Sequence, residues 1–368
     1  MPKPMLKVII AYPWMLRTAV GLDIQEISKY LVNQVDLTLA LASSDISLGK
    51  SFNSLKILPL PTFPTIRFYL NLVNHICRNK YDIVDLHDCP YLFLTTLFPN
   101  ELIHRTIVTP HFMTELSLRL NFQHLTHVIH DIITALDIQY RLVGKHAVFI
   151  AISEYMKNVI EQRWKARRVE LIPNLVDTNM FKPLNVTFSI NSFPKLLYVG
   201  ALRPVKGVDT LILTMKYLIK KYPKSKLFIV GAGNIAKYVK LSRTLGVMDN
   251  IIFLGRLSLQ ELVYMYNCCD IFITASHWES FCRPIVEAMS CGKPVVCRDA
   301  YACSEHIRNS GAAVGFKSDD PDEIIWAIEE LLKNYNQMRE NARRYALRFG
   351  SSKIAEKWLH LYKLLAGV

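Results

Sequence analysis

Short apolar runs, each followed by an amphipathic stretch of helical length, recur along the chain in two successive blocks. That alternation admits few folds. A strand that must be followed by a helix before the next strand builds parallel sheets covered by helices. In the first block the strand-like runs fall at residues 6–11, 35–41, 82–86, 105–109 and 147–152, with helical patterns at 22–33 and 66–79. In the second block they fall at 195–199, 226–230, 251–254, 270–274 and 295–298. Between the blocks, the stretch from Pro173 to Pro194 carries prolines and asparagines and reads as a connection. Residues 322–333, 335–349 and 351–365 read as closing helices. A chain of 368 residues holds ample material for two cores. The expected class is α/β with domains at 1–178 and 195–350, joined by a linker at 179–194.

Composition narrows the class further. At 51% hydrophobic and 20% charged residues, the chain is an ordinary globular protein. No run approaches the roughly 18 apolar residues that a membrane-spanning helix needs. The apolar run at 8–11 is too short for a signal peptide, so a cytoplasmic protein is expected. Eight cysteines occur without any Cys-x-x-Cys spacing, which favours buried free thiols over a zinc site. The net charge of +13 is uneven, with +3 on residues 1–178 and +10 on 179–368. Such an excess attracts a nucleotide diphosphate, an anionic membrane surface or nucleic acid. The nucleic-acid reading lacks a recognition motif or stacking aromatics on a basic strand. Lys157 and the run Arg163-Trp-Lys-Ala-Arg-Arg168 form a basic cluster, read as a solvated face or as peripheral contact with anionic headgroups.

The segment His277-Trp-Glu-Ser-Phe-Cys-Arg-Pro-Ile-Val-Glu-Ala-Met-Ser-Cys-Gly-Lys-Pro-Val-Val296 says most about function. Glu279 is expected on a loop at the carboxyl end of a strand. Pro284 is expected to open a helix, since its missing N–H costs nothing there, and Glu287 to fall in that helix's first turn. Carboxylates accept hydrogen bonds from sugar hydroxyls, and helix N-termini hold phosphates, so the pair suits a sugar nucleotide. Lys206 precedes Gly207 at another expected helix start, which sets an ammonium beside the positive end of a dipole. His111 stands just past a strand end. His124, His127 and His130 recur every three residues, but no acidic partner at metal-ligand spacing accompanies them, and no metal is expected.

Glu-x7-Glu, followed by Ala-Met-x-Cys-Gly-x-Pro-Val-Val, resembles the donor-site signature of the retaining glycosyltransferases of family 4, which have the GT-B fold. Leu197-Tyr-Val-Gly-Ala-Leu-Arg-Pro-Val-Lys-Gly-Val-Asp209, Leu227-Phe-Ile-Val-Gly-Ala-Gly233, Ile251-Ile-Phe-Leu-Gly255 and Ile172-Pro-Asn-Leu-Val-Asp177 are similar to further family segments, in order. The agreement is close from about residue 150 to 335, while the first 120 residues match in pattern only. The resemblance implies two Rossmann-like domains facing each other across a cleft, with residues 351–368 crossing back onto the first. It implies transfer of a sugar, with retention, from a nucleoside-diphosphate sugar to a saccharide or lipid-linked glycan. The donor is a co-substrate, and neither metal nor other cofactor is implied. By residue, it places Glu287 on the ribose, Glu279 on the transferred sugar, Lys206 on the diphosphate, and His111 facing the sugar; Arg203, two residues past the family's arginine position, either reaches the diphosphate or faces solvent. Backbone N–H groups around Phe281, Cys282 and Arg283 would orient the donor.

The chain also departs from the family pattern. Ala201 stands where relatives often have arginine, Cys282 where most have glycine, and Tyr301-Ala302 where a glycine pair is usual. The acceptor loop, read at 12–23, lacks its Gly-Gly and keeps Gly21, with Arg17 nearby. These changes leave room for rivals that keep the fold, a nucleotide-sugar epimerase or a non-catalytic donor-binding protein.

Overall fold

The structure, a computed structural model, describes residues 5–12, 19–42, 55–60, 65–88, 92–111, 137–186 and 190–368. The chain divides into two compact units, Met1–Leu175 with Ser351–Val368, and Val176–Gly350. The first holds a seven-stranded sheet of β1 (Lys7–Tyr12), β2 (Asp36–Ala42), β3 (Lys56–Leu60), β4 (Ile83–His87), β5 (Thr106–Thr109), β6 (Val148–Ala151) and β7 (Arg168–Leu171). Its strand order is β3-β2-β1-β4-β5-β6-β7, with every pairing parallel. Every residue of β4, β5 and β6 is buried, as a sheet covered on both faces requires. That is why these strands read as nearly unbroken apolar runs.

The helix Ala19–Leu31 buries Val20, Ile24, Ile27 and Leu31, one stripe of a 3.6-residue period. It starts earlier than the expected 22–33. Gly21, placed in the acceptor loop by sequence, is therefore helical and buried. The final helix, Ser351–Ala366, belongs to the first unit, where Ile354, Trp358, Leu361 and Tyr362 pack with Val8, Ile10 and Val20 in one core.

The basic cluster is partly packed and partly solvated. Its aromatic, Trp164, is buried, stacks on Tyr140 at a centroid distance of 3.9 Å and donates its indole N–H to Asp137 at 2.9 Å. Arg163 is paired with the same carboxylate at 2.7 Å, and Arg168 opens β7 rather than continuing a helix. Only Lys165, Arg167 and Arg168 of the run remain exposed. Among the described residues, no helix is long and apolar enough to cross a membrane.

The second unit holds β8 (Lys195–Val199), β9 (Lys226–Val230), β10 (Ile251–Gly255), β11 (Ile271–Thr274), β12 (Val295–Arg298) and β13 (Ala313–Phe316), all parallel, in the order β10-β9-β8-β11-β12-β13. The stretch read as a linker is part of this unit. Phe181 is buried and its carbonyl accepts from Arg343 at 3.0 Å, while the Leu184 N–H donates to Asn267 at 2.8 Å. Seven cysteines among the described residues are free thiols, and all but Cys77 are buried.

Candidate functional site

In the second sheet the connections run to opposite sides of β8, so the chain changes winding direction between β8 and β11. A ligand crevice is expected at the carboxyl ends of the two strands flanking such a point. Lys206 hangs beyond the end of β8 and Glu279 beyond the end of β11. Their side chains meet at 2.7 Å, and they are 27% and 15% exposed. Gly207 makes this approach possible. It has φ +63°, and a Cβ there would lie 2.2 Å from the carbonyl oxygen of Ala275, just past β11. Only glycine fits. The two loops are then locked by the His277 N–H and the Ser276 hydroxyl, which donate to the Val205 carbonyl at 2.8 and 3.3 Å. Burial pulls the Lys206 ammonium toward the neutral form, yet contact with Glu279 raises its pKa overall. The site thus keeps a fixed, partly desolvated cation.

The helix after Glu279 spans Arg283–Ser290, with Arg283 first and Pro284 second. Glu287 therefore lies one residue deeper than expected, four residues after Arg283. Its Oε1 accepts from Arg283 Nε at 2.9 Å and its Oε2 from the Tyr266 hydroxyl at 2.8 Å, all three side chains being buried or nearly so. Burial, then Glu287, holds the Tyr266 phenol well above its ordinary pKa. Glu287 is thus a joint in the packing as well as a ligand candidate.

Cys282 precedes this helix with φ +63° and ψ +63°. The loop keeps a left-handed turn that suits glycine and bears the steric cost, about 1–2 kcal/mol, with a cysteine. Tyr301, the other glycine replacement, has φ +54°, and the next N–H, of Ala302, donates to the Glu279 carbonyl at 3.4 Å. Both departures change the residue while keeping a glycine-like backbone.

Sequence reading missed His306. Its Nε2 lies 2.7 Å from the Phe281 carbonyl, so that nitrogen carries the proton, and Nδ1 accepts from the Tyr345 hydroxyl at 3.1 Å. The ring pins the loop from which Phe281 and Cys282 project. Burial lowers its pKa to about 4, against the opposing pull of the Phe281 carbonyl and Glu279. An ordinary histidine titrates near 6.5, so the unfolded chain binds the extra proton first. This contribution to stability is complete above pH 6.5 and is lost as pH falls toward 4. It amounts to about 3 kcal/mol. A His306→Gln variant is expected to lose that much of its acid sensitivity, measured as unfolding free energy between pH 7 and 4. Curves of equal slope for variant and wild type would contradict it.

Of the remaining predicted residues, Arg203 is exposed at the entry to the 204–206 turn. His111 is buried in the first unit, where its Nε2 lies 3.0 Å from Nδ1 of His87. Arg17, His124, His127 and His130 lie outside the described residues. Asp85, His87 and Tyr266 were missed. For the first two a signal existed, because polar residues two apart in an otherwise apolar strand are costly unless used. Among the described residues, no group of three or more His, Cys, Asp or Glu is arranged to hold a metal ion.

Residues 186–349 match the family described as Glycosyl transferases group 1, and residues 23–180 match Glycosyltransferase Family 4. In structure, the chain is similar to a sucrose-phosphate synthase from Thermosynechococcus elongatus, with a TM-score of 0.80 at 15% identity over 98% of this chain and 99% of that one. Each half of the chain thus matches a glycosyltransferase family model, and the fold is GT-B. The chain is also similar in structure to HepE from Anabaena, solved in complex with UDP and glucose. The TM-score is 0.73 at 18% identity, over 96% of this chain and 98% of HepE. In sequence, it is 29% identical over 175 residues to an uncharacterized glycosyltransferase of Methanocaldococcus jannaschii, covering 46% of this chain and 44% of the relative. Across the first curated relatives the matches span 44%, 63% and 59% of the relative's own length, less than two thirds of each.

Proposed function

We propose that this protein is a glycosyltransferase that moves a hexose-type sugar from a nucleoside-diphosphate sugar to a saccharide or lipid-linked glycan, with retention of anomeric configuration. The contact between Lys206 and Glu279 carries this reading. It sets a fixed cation and a hydroxyl acceptor side by side at the winding change of the second sheet, close in sequence to the start of the Arg283–Ser290 helix. Similarity to a protein solved with UDP and glucose supports a nucleoside-diphosphate donor.

In this mechanism Lys206 and the N–H groups at the helix start balance charge on the departing diphosphate, the task often given to a metal ion. Glu279 binds hydroxyls of the transferred sugar and Glu287 those of the ribose. The bond between the anomeric carbon and the phosphate oxygen breaks, and the acceptor oxygen bonds to that carbon on the same face. The acceptor's proton passes to the leaving phosphate, so no covalent nucleophile is required.

The reading is tested by incubating the protein with UDP-, GDP- and ADP-sugars, a chelator, and a mixed saccharide and lipid extract. Release of nucleoside diphosphate from one donor, lost in Lys206→Ala, is the expected result. Nucleotide binding without release under any acceptor would favour the non-catalytic rival, and absence of nucleotide binding would refute the donor site.

A further inference from the structure

The second unit carries a group of cations that the sugar-transfer mechanism above does not use. The helix Tyr335–Ala346 places Arg339, Arg343 and Arg344 on one side, where like charges four residues apart repel. They line a cleft of about 840 Å³ with Pro183, Gly292, Asn336, Leu347 and one acid, Glu340. Gly292 stands just before β12, at its amino end, whereas Lys206 and Glu279 lie beyond the carboxyl ends of β8 and β11. Arg339 leans on the Tyr335 ring, 5.8 Å from its centroid, and Arg344 donates to the Asn341 side-chain oxygen at 3.3 Å. Arg343 donates to the carbonyls of Thr178, Phe181 and Ser290 at 3.1, 3.0 and 2.8 Å. Next to Gly292, Lys293 is buried and donates to the Asn267 carbonyl at 2.9 Å. Burial, then Arg339, lowers its pKa. Among the described residues, these four cations are met by neutral groups and none pairs with a carboxylate.

Glu340 offsets one charge of the four, so folding leaves the cleft positive. A buried or partly buried cation without a counter-ion is costly, and an anion in the cleft would relieve that cost. Guanidinium groups suit phosphate in particular, because their planar forks match its oxygens two at a time. Arg339 and Arg344 are exposed and keep N–H donors free of other acids. Arg343 is committed to carbonyls and contributes charge, not donors. An inorganic phosphate would leave most of the cleft empty, since volumes of this size hold whole organic ligands. Pro183 and Leu347, the latter 39% exposed, offer apolar surface beside the cations. We propose that this cleft binds an organic phosphate, with Arg339 and Arg344 donating to the phosphate oxygens and Pro183 and Leu347 resting against its carbon skeleton. The site is distinct from the donor site and does not depend on the sugar-transfer reading.

The test titrates glycerol 3-phosphate into the full chain at an ionic strength held constant with chloride. Binding is followed by calorimetry and by the side-chain N–H resonances of labelled arginine. Saturable binding is expected, with the Arg339 and Arg344 resonances moving at the same midpoint as the heat. Affinity should fall about tenfold or more in Arg339→Gln/Arg344→Gln, because charge-assisted hydrogen bonds are lost. Both positions are exposed, where substitution costs little stability. Lys206→Ala, which removes the donor-site cation, should bind the ester as the wild type does. The reverse pattern, with binding lost in Lys206→Ala and kept in the double variant, overturns the proposal. Heat without movement of either arginine resonance overturns it too, and that result is read in the wild type whether or not the variant folds. Sedimentation with phosphatidylcholine vesicles, with and without phosphatidic acid, separates the sources of phosphate. Sedimentation that needs phosphatidic acid and both arginines upholds the site for a lipid headgroup. Ester binding without sedimentation upholds it for a free phosphate ester, and neither binding nor sedimentation overturns it.

Discussion

Lys206→Ala is expected to lower turnover by about 10²–10³-fold, the scale seen when one preorganised donor to a developing charge is removed. The ammonium is held against Glu279 at 2.7 Å and is only partly hydrated, so it needs little reorganisation to meet a diphosphate. Its loss also strands the Glu279 carboxylate, and Lys206→Ala/Glu279→Gln therefore serves as a control for misfolding. Steady-state release of nucleoside diphosphate, compared with nucleotide affinity by calorimetry, separates the effects. A loss confined to turnover marks Lys206 as acting on the leaving group. An equal loss in both marks it as a binding residue, and no loss in either removes it from the site.

Glu287→Ala is expected to destabilise the second unit by about 3–5 kcal/mol, because it leaves the Arg283 guanidinium buried without its carboxylate. Tyr266 loses its acceptor as well. Arg283 and Glu287 are only 10% and 8% exposed, so solvent does little to screen the change. Glu287→Gln keeps an acceptor at that place and should cost much less. Denaturant unfolding of the three proteins distinguishes packing from recognition. If Glu287 serves the ligand alone, the alanine variant will lose nucleotide affinity at unchanged unfolding free energy.

The donor side of the site was legible because its chemistry is concentrated in one continuous segment and one Lys-Gly turn. What the sequence concealed is how those groups are held. Tyr266 lies 21 residues from Glu287, and His306 lies 25 residues from Phe281, so no local spacing links them. Helix registry was off by one position at Pro284, which stands second, and Glu287 is held in the interior by Arg283 and Tyr266. Within the sheets, the interior strands read easily, since burial on both faces leaves them apolar. The three strands that escaped are β3, β7 and β13, each at a sheet edge. β3 contains Pro59, β13 contains Gly315, and β7 alternates exposed with half-buried residues.

Those same irregularities have a consequence for solubility. An edge strand offers unpaired N–H and C=O groups on which another polypeptide can build, and regular apolar edges seed aggregation. β3 interrupts that template with a proline that has no N–H to give, and Lys56 on it is paired with Asp36 of β2 at 2.6 Å. β7 turns Arg168 and Glu170 to solvent. A charged or proline-bearing border of this kind discourages strand addition by neighbouring molecules. For a chain with two large parallel sheets, slow to assemble because their pairings are far apart in sequence, that protection matters most during folding, when the borders are exposed longest.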